Sequence, residues 1–349
     1  MKIHSLYPIQ FKPICQEKVW GGNRLYSILN KGCDPTRPIG ESWEISAVED
    51  FISVVDNGFL QGNNLQDIVE IYMADLVGDK VYLKYGIEFP LLIKFIDAND
   101  LLSVQVHPDD NLARLRHHAY GKTEMWYVIH AEPDADLYMG WKHDMDRETL
   151  LQALEDNTLV EHLNKEKVKP GDVFFIPPGR VHALGKGIVV AEIQQTSDIT
   201  YRLYDWGRVG MDGKPRQLHV DLALDAIDYK AYDKYKTEYT PETNNTIPLI
   251  NCDYFTTNLI EFDRPMEKNY MALDSFVIYI VLEGSLGLEY YKKQRMDLFK
   301  GQTVLLPAEF DQVRLLPYEP SKLLEVYVEN IDLNMNNTLE NFFGEGMIV

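Results

Sequence analysis

A mainly β fold with short helical insertions is what this 349-residue sequence predicts. Two observations carry that expectation. Short runs of alternating apolar and polar residues recur along the chain, with Gly, Pro, Asn or Asp between them. That period of two belongs to half-buried strands of a sandwich or barrel. The composition agrees, because 21 Tyr and abundant Val, Ile and Phe favour strands over a helix bundle.

The strand runs, in order, are Ser53–Asp56, Leu101–His107, Glu124–Ile129, Val173–Ile176, Ile188–Gln194, Phe276–Leu282 and Leu323–Val328. Two stretches follow helical spacing instead. Leu65, Ile68, Val69, Tyr72, Met73 and Leu76 predict a helix over Leu65–Leu76. Asp146–Leu163 repeats Leu and Val at that spacing, with Asp146 as its N-cap.

The length allows two or three domains, and 45% hydrophobic residues supply a substantial core. A net charge of −20 argues against a nucleic-acid surface, which needs a basic stripe. A small anion needs only a local basic cluster. Cys15, Cys33 and Cys252 lack metal-ligand spacing, predict no disulfide framework, and fit a reducing compartment. The N-terminal MKIHSLYPIQFKP lacks a secretory apolar run, and no segment is long enough to span a membrane. A soluble cytoplasmic protein is expected, with no membrane or nucleic-acid partner.

GDVFFIPPGRVHAL at Gly171–Leu184 and GQTVLLPAEFDQVRL at Gly301–Leu315 form a weak internal repeat. His182 lies eleven residues after Gly171, and Gln312 stands at the same offset from Gly301. One unit carries a potential metal ligand and the other does not. The polar run Lys230–Asn245 reads as the linker. It divides a metal-binding domain over 1–235, with helical insertions, from a degenerate β domain over 246–349.

In LLSVQVHP, strand alternation puts Leu102, Val104 and Val106 on one face and Ser103, Gln105 and His107 on the other. In GKTEMWYVI, Lys122, Glu124 and Trp126 share a face. Each segment alone is better explained by an amphipathic strand or a salt-bridged edge. Gly171, Pro177, Gly179 and His182 fit every defined position of G-x-x-x-x-x-P-x-G-x-x-H, the second signature of the cupin family. Cupin-type jelly-roll barrels are therefore the expected architecture. Gln105, His107, Glu124 and His182 together suit one zinc per chain, with iron, manganese or cobalt as other options. Further on, Glu192 and Gln194 share one strand face, and Thr200, Arg202 and Tyr204 another.

PIGESWEIS, QVHPDD, GKTEMWYVI, PPGRVHALGKG and EIQQTSDITYRLYDWGR, in that order, resemble the type I mannose-6-phosphate isomerases, particularly the short bacterial form. The resemblance implies metal ligands at Gln105, His107, Glu124 and His182. It also implies an active-site Glu192 and Arg202 and a pocket Ser103. Longer members often carry Tyr two residues after the last His, where this chain has Leu184. The implied activity interconverts mannose 6-phosphate and fructose 6-phosphate through an enediol. Lys122, Arg202 and Ser103 are expected to hold the phosphorylated hexose. Glu192 is the first choice of base, with His107 and Lys122 as alternatives. A cupin dioxygenase using iron and a non-enzymatic sugar-binding cupin are the rival readings, since one fold hosts many functions.

Overall fold

The computed structural model describes residues 6–331. The first residues of the N-terminal stretch, and 332–349 of the C-terminal domain expected over 246–349, lie outside them. The chain forms two compact units that interleave in sequence. One comprises Cys15–Trp43 and Leu92–Thr237. The other takes the N-terminal segment through Ile14, Glu44–Leu91 and the chain from Glu238 onward.

In the unit built on Cys15–Trp43 and Leu92–Thr237, a seven-stranded sheet runs in the order Ile14–Gly22, Ile39–Ile45, Leu91–Ala98, Ile188–Gln195, Glu124–Ala131, Val173–Ile176 and Lys236–Thr237. A five-stranded sheet orders Tyr201–Tyr204, Val104–Val106, His182–Ala183, Asp136–Trp141 and Leu163–Lys167. Trp20, Ile96, Trp126, Val128, Phe174, Val190, Leu137 and Met139, drawn from both sheets, close into one buried cluster. Helices cover the opposite face of the smaller sheet: Val104, Val106, Ala183, Tyr201 and Leu203 pack with Leu150, Leu159, Ala223 and Leu224. Alternation then turns Gln105, His182 and Arg202 away from that apolar layer.

The other unit repeats this plan. Its five-stranded sheet orders Asn245–Asn251, Thr256–Phe262, Ser321–Tyr327, Val277–Glu283 and Thr303–Leu306. Its four-stranded sheet orders Met266–Asn269, Gln312–Pro317, Ser285–Tyr290 and Gln294–Phe299. Ile260, Tyr279, Leu286, Leu298, Leu315 and Leu323 form the core between the sheets.

The fold is thus mainly β with short helices, and several local details correct the sequence reading. The helix over Leu65–Val77 starts as expected, where the Asn64 side chain accepts from the Asp67 amide, but it kinks at Met73, whose φ is 46°. Asp146 caps a helix by accepting from the Thr149 amide. That helix stops at Glu155, and Asn157, at φ 57°, separates it from a second over Leu159–His162. Ser53–Asp56 supplies only isolated bridges at Val54 and Val55. Leu102 lies outside the strand and joins the inter-sheet core rather than the Val104–Val106 face. A bulge between Arg202 and Tyr204 ends the expected alternation there, and Tyr204 packs toward the helical side. The stretch read as a linker contributes a short strand, Lys236–Thr237, and a buried Tyr235 whose hydroxyl donates to the Trp141 carbonyl. Cys15 and Cys33, expected to be free, form a disulfide with Cα atoms 5.9 Å apart. Folding brings together thiols that are 18 residues apart in sequence, and the support that unpaired cysteines lent to a reducing compartment is lost.

Candidate metal centre and anion site

The site begins with a strand pairing. Gln105 lies opposite His182 on one side and Arg202 on the other, so the three side chains share a face of the five-stranded sheet. Across the interior, Glu124 opens its strand opposite Gln194, and Glu192 pairs with Trp126. The His182 turn depends on Gly179, whose φ is 84° and whose amide donates to the His107 carbonyl at 2.9 Å. A Cβ there would lie 2.8 Å from the Ala226 carbonyl oxygen.

His107, Glu124 and His182 are at most 1% exposed. His107 Nδ1 lies 3.0 Å from the Ile199 carbonyl and His182 Nδ1 lies 2.9 Å from the Arg180 carbonyl. A carbonyl only accepts, so both Nδ1 atoms carry a proton, and in the neutral rings both Nε2 atoms present a lone pair. His107 Nε2 faces Glu124 Oε2 at 3.5 Å, and His182 Nε2 faces Glu124 Oε1 at 3.2 Å. His107 Nε2 and both Glu124 oxygens are buried without a hydrogen bond. Acceptors facing acceptors in a dry interior are what a cation resolves. A tetrahedral ion with ligands at about 2.0–2.1 Å separates them by about 3.3–3.4 Å, and the two imidazole–carboxylate contacts, one on each Glu124 oxygen, are close to that. The donor set therefore fits a metal. Gln105 adds a polar tip, its Nε2 3.3 Å from His182 Nε2 and its Oε1 3.4 Å from Ser103 Oγ.

Charge placement supports the same function. Burial pushes the His107 imidazole down from 6.5 to about 3, helped by Lys122, although Glu124 opposes the shift. Neutral histidine is the ligating form. Burial alone would raise Glu124, but Lys122 and His107 hold its carboxyl well below the usual range. Lys122 lies 3.2 Å from Glu124 Oε2. Burial would lower its ammonium, and the carboxylates of Glu124, Glu192 and Glu41 more than compensate.

Glu192 is tied on both sides. Its Oε2 accepts from Trp126 Nε1 at 2.7 Å, and its Oε1 lies 3.2 Å from Lys94 Nζ. Lys94 also donates to Gln194 at 2.8 Å and sits over the Trp43 ring at 4.9 Å. Lys94 is absent from the sequence-derived set. Its signal was a single Lys in the otherwise almost wholly apolar run Leu91–Ala98. Glu41, within the PIGESWEIS segment, accepts from Trp43 Nε1 at 2.7 Å.

Arg202 donates through Nη1 to the Gln217 carbonyl at 2.8 Å and pairs with neither Asp198 nor Asp205. Its Nε is buried without a partner. Burial lowers its guanidinium pKa, and Arg216 and Arg208 lower it further.

A jelly-roll unit with two buried imidazoles and a carboxylate converging inside it defines a cupin-type metal-site protein. The profile "Phosphomannose isomerase type I, catalytic domain" matches residues 9–123. The chain is 35% identical over 321 residues to "Mannose-6-phosphate isomerase ManA" of Bacillus subtilis, covering 89% of this chain and 96% of that one. It is also 35% identical over 306 residues to "Mannose-6-phosphate isomerase" of Streptococcus mutans, covering 86% and 92%. The crystal structure of the mannose 6-phosphate isomerase from Bacillus subtilis superposes with a TM-score of 0.83 at 30% identity, over 93% of this chain and all of that one. The chain belongs to the type I mannose-6-phosphate isomerase family.

Proposed function

We propose that this chain is a metal-dependent aldose–ketose isomerase that interconverts mannose 6-phosphate and fructose 6-phosphate. The observation that carries this is the buried His107–Glu124–His182 cluster, whose proton-free atoms converge in a chain of this family. In this reading the cluster and Gln105 hold one zinc ion, with the Gln105 amide turned to present its oxygen. A bound divalent ion supplies a Lewis acid for the sugar's carbonyl oxygen.

The side chains divide the remaining work. The reaction moves a proton between the first and second sugar carbons, and Glu192 is the base. Of the alternatives, Lys122 is kept protonated by its carboxylate neighbours, and His107 Nε2 is taken in this reading by the ion. Protonated Lys122 steadies the sugar oxygens as the enediol forms. Arg202, with its unpaired Nε, and Ser103 hold the phosphate. A guanidinium fork suits a phosphate better than an ammonium does. The phosphorylated substrate, which does not cross membranes unaided, supports a cytoplasmic setting. No helix among the described residues is long and apolar enough to cross a membrane.

The test is a coupled assay of fructose 6-phosphate formation from mannose 6-phosphate, run beside metal analysis. Turnover is expected with one divalent ion per chain, lost on chelation and restored by zinc. A metal-loaded chain that binds the sugar phosphate without converting it would replace this reading with sugar binding alone.

A further inference from the structure

The segment after Arg202 leaves its strand and returns. Asp205 to Arg208 form a turn closed by the Arg208 amide on the Asp205 carbonyl at 3.1 Å. Trp206 sits at φ 58° and pins the turn by donating from Nε1 to the Leu102 carbonyl at 2.7 Å. The chain then reverses through Gly210–Lys214, where the Gly210 amide donates to the Lys214 carbonyl at 2.6 Å, and Val209 bridges Pro215. The returning leg meets Arg202 itself. Arg202 donates to the Gln217 carbonyl, and its amide and carbonyl bond His219 Nδ1 and the His219 amide at 3.2 and 2.8 Å.

One carboxylate clasps both legs. Asp205, 6% exposed, accepts from Arg208 Nε on Oδ1 at 2.9 Å and from Arg216 Nε on Oδ2 at 2.7 Å, with Arg216 Nη2 also on Oδ1. Burial pushes the Asp205 carboxyl up, but the two guanidiniums hold it below its ordinary value. Two arginines thus hold one carboxylate, with Arg202 close enough for their charges to act on it, in a chain of net charge −20.

We propose that Asp205 is a positioning residue: by bridging Arg208 and Arg216 across the base of this hairpin, it fixes the returning leg that orients Arg202 toward a phosphate monoester. The inference rests on the reading of Arg202 as a phosphate holder. It also has a sign that a charge argument alone would reverse. If Asp205 merely damped positive potential, removing its charge would tighten anion binding. If it positions, the same change loosens binding, because the arginines repel one another and the leg carrying Gln217 and His219 loses its tie.

The experiment compares Asp205→Asn, Arg216→Lys and the double variant as metal-loaded full-length chains. Inorganic phosphate binding is read by calorimetry, and kcat and KM with mannose 6-phosphate. The expected result is roughly tenfold weaker phosphate binding in each single variant, with a matching rise in KM, kcat within about threefold and unchanged metal content. The double variant should be no worse than either single, since both changes break one clasp. Phosphate affinity unchanged or tightened in Asp205→Asn overturns the proposal, as do single effects that multiply. Should Asp205→Asn fail to fold, Arg216→Lys decides alone: it keeps the charge and loses the fork, and unaltered phosphate affinity in it is refuting. A wild-type chain that binds phosphate yet does not isomerise would instead sink the isomerase reading, and the phosphate titration would still judge Asp205.

Discussion

Lys94→Met is the substitution whose cost follows most directly from the site. Lys94 and Glu192 are 5% and 3% exposed, with Nζ 3.2 Å from Oε1. Met keeps the stem packed against Trp43 but removes the charge. Glu192 then keeps the Trp126 indole as its hydrogen-bond donor and the Lys122 ammonium as the cation still acting on it, and Gln194 loses its donor. Breaking a buried pair by removing one member costs about 3–5 kcal/mol, because the other charge is left uncompensated. For a unit of this size that is on the order of 10 °C in Tm, at about 2–4 °C per kcal/mol. Adding Glu192→Gln should recover much of the loss, since an amide needs no counter-charge and its oxygen still accepts from Trp126. Urea unfolding of wild type, both singles and the double yields the coupling energy, expected to exceed about 2 kcal/mol. A Lys94→Met protein within about 1 kcal/mol of wild type, or a double variant as unstable as the sum of the singles, would refute the reasoning.

Three further outcomes are expected. His182→Ala should lose most of the bound metal while keeping its fold, and full metal content by elemental analysis would exclude His182 as a ligand. The metal-free protein should be acid-labile: because the folded His107 pKa is depressed to about 3, its contribution to stability is present above about 6.5 and is lost as pH falls toward 3. Melting temperature of the chelated protein against pH, flat from 7 to 4, would contradict this. Arg202→Lys should cut turnover efficiency about tenfold or more, roughly 1.4 kcal/mol, with metal content unchanged; near wild-type kinetics would return Arg202 to a structural role.

Local pattern carried the sequence reading as far as local physics reaches. Alternation placed Glu124 beside Trp126 on one face, and both point into the interior as that period requires. The glycine-bracketed turn to His182 was readable because Gly171 and Gly179 both adopt positive φ, which few other residues tolerate. Features set by distant pairing were not. Leu102 escaped its expected face because the strand begins only at Val104, a limit set by its neighbours Tyr201–Tyr204 and His182–Ala183. Glu44–Leu91 clusters with the chain from Glu238 onward, which no window of ten or twenty residues reports. The Cys15–Cys33 bond likewise depends on tertiary proximity. Lys94 was legible in principle, because a lysine inside an apolar strand must be paired or neutral.

The internal repeat shows what sets the His107–Glu124–His182 group apart. Strand orders correspond: Leu91–Ala98, Ile188–Gln195, Glu124–Ala131 and Val173–Ile176 in one unit, Thr256–Phe262, Ser321–Tyr327, Val277–Glu283 and Thr303–Leu306 in the other. Glu192 opposes Trp126, and Glu325 opposes Tyr279. Both carboxylates are buried, and each is served by the next strand over, Glu192 by Lys94 and Glu325 by Asn258 at 2.9 Å. Two residues along, Glu124 opposes Gln194, whereas Val277 opposes Tyr327. Where the first repeat has His182, the second has the exposed Gln312. The buried carboxylate is thus common to both barrels, while among the described residues the acid and imidazoles suited to a cation stand in only one. A polar group buried within a jelly roll does not by itself mark a catalytic site, since Glu325 is satisfied by Tyr270, Lys268 and Asn258. What distinguishes the cluster around Glu124 is that two imidazole Nε2 atoms face its carboxylate, and that His107 Nε2 and both Glu124 oxygens are buried without a hydrogen bond.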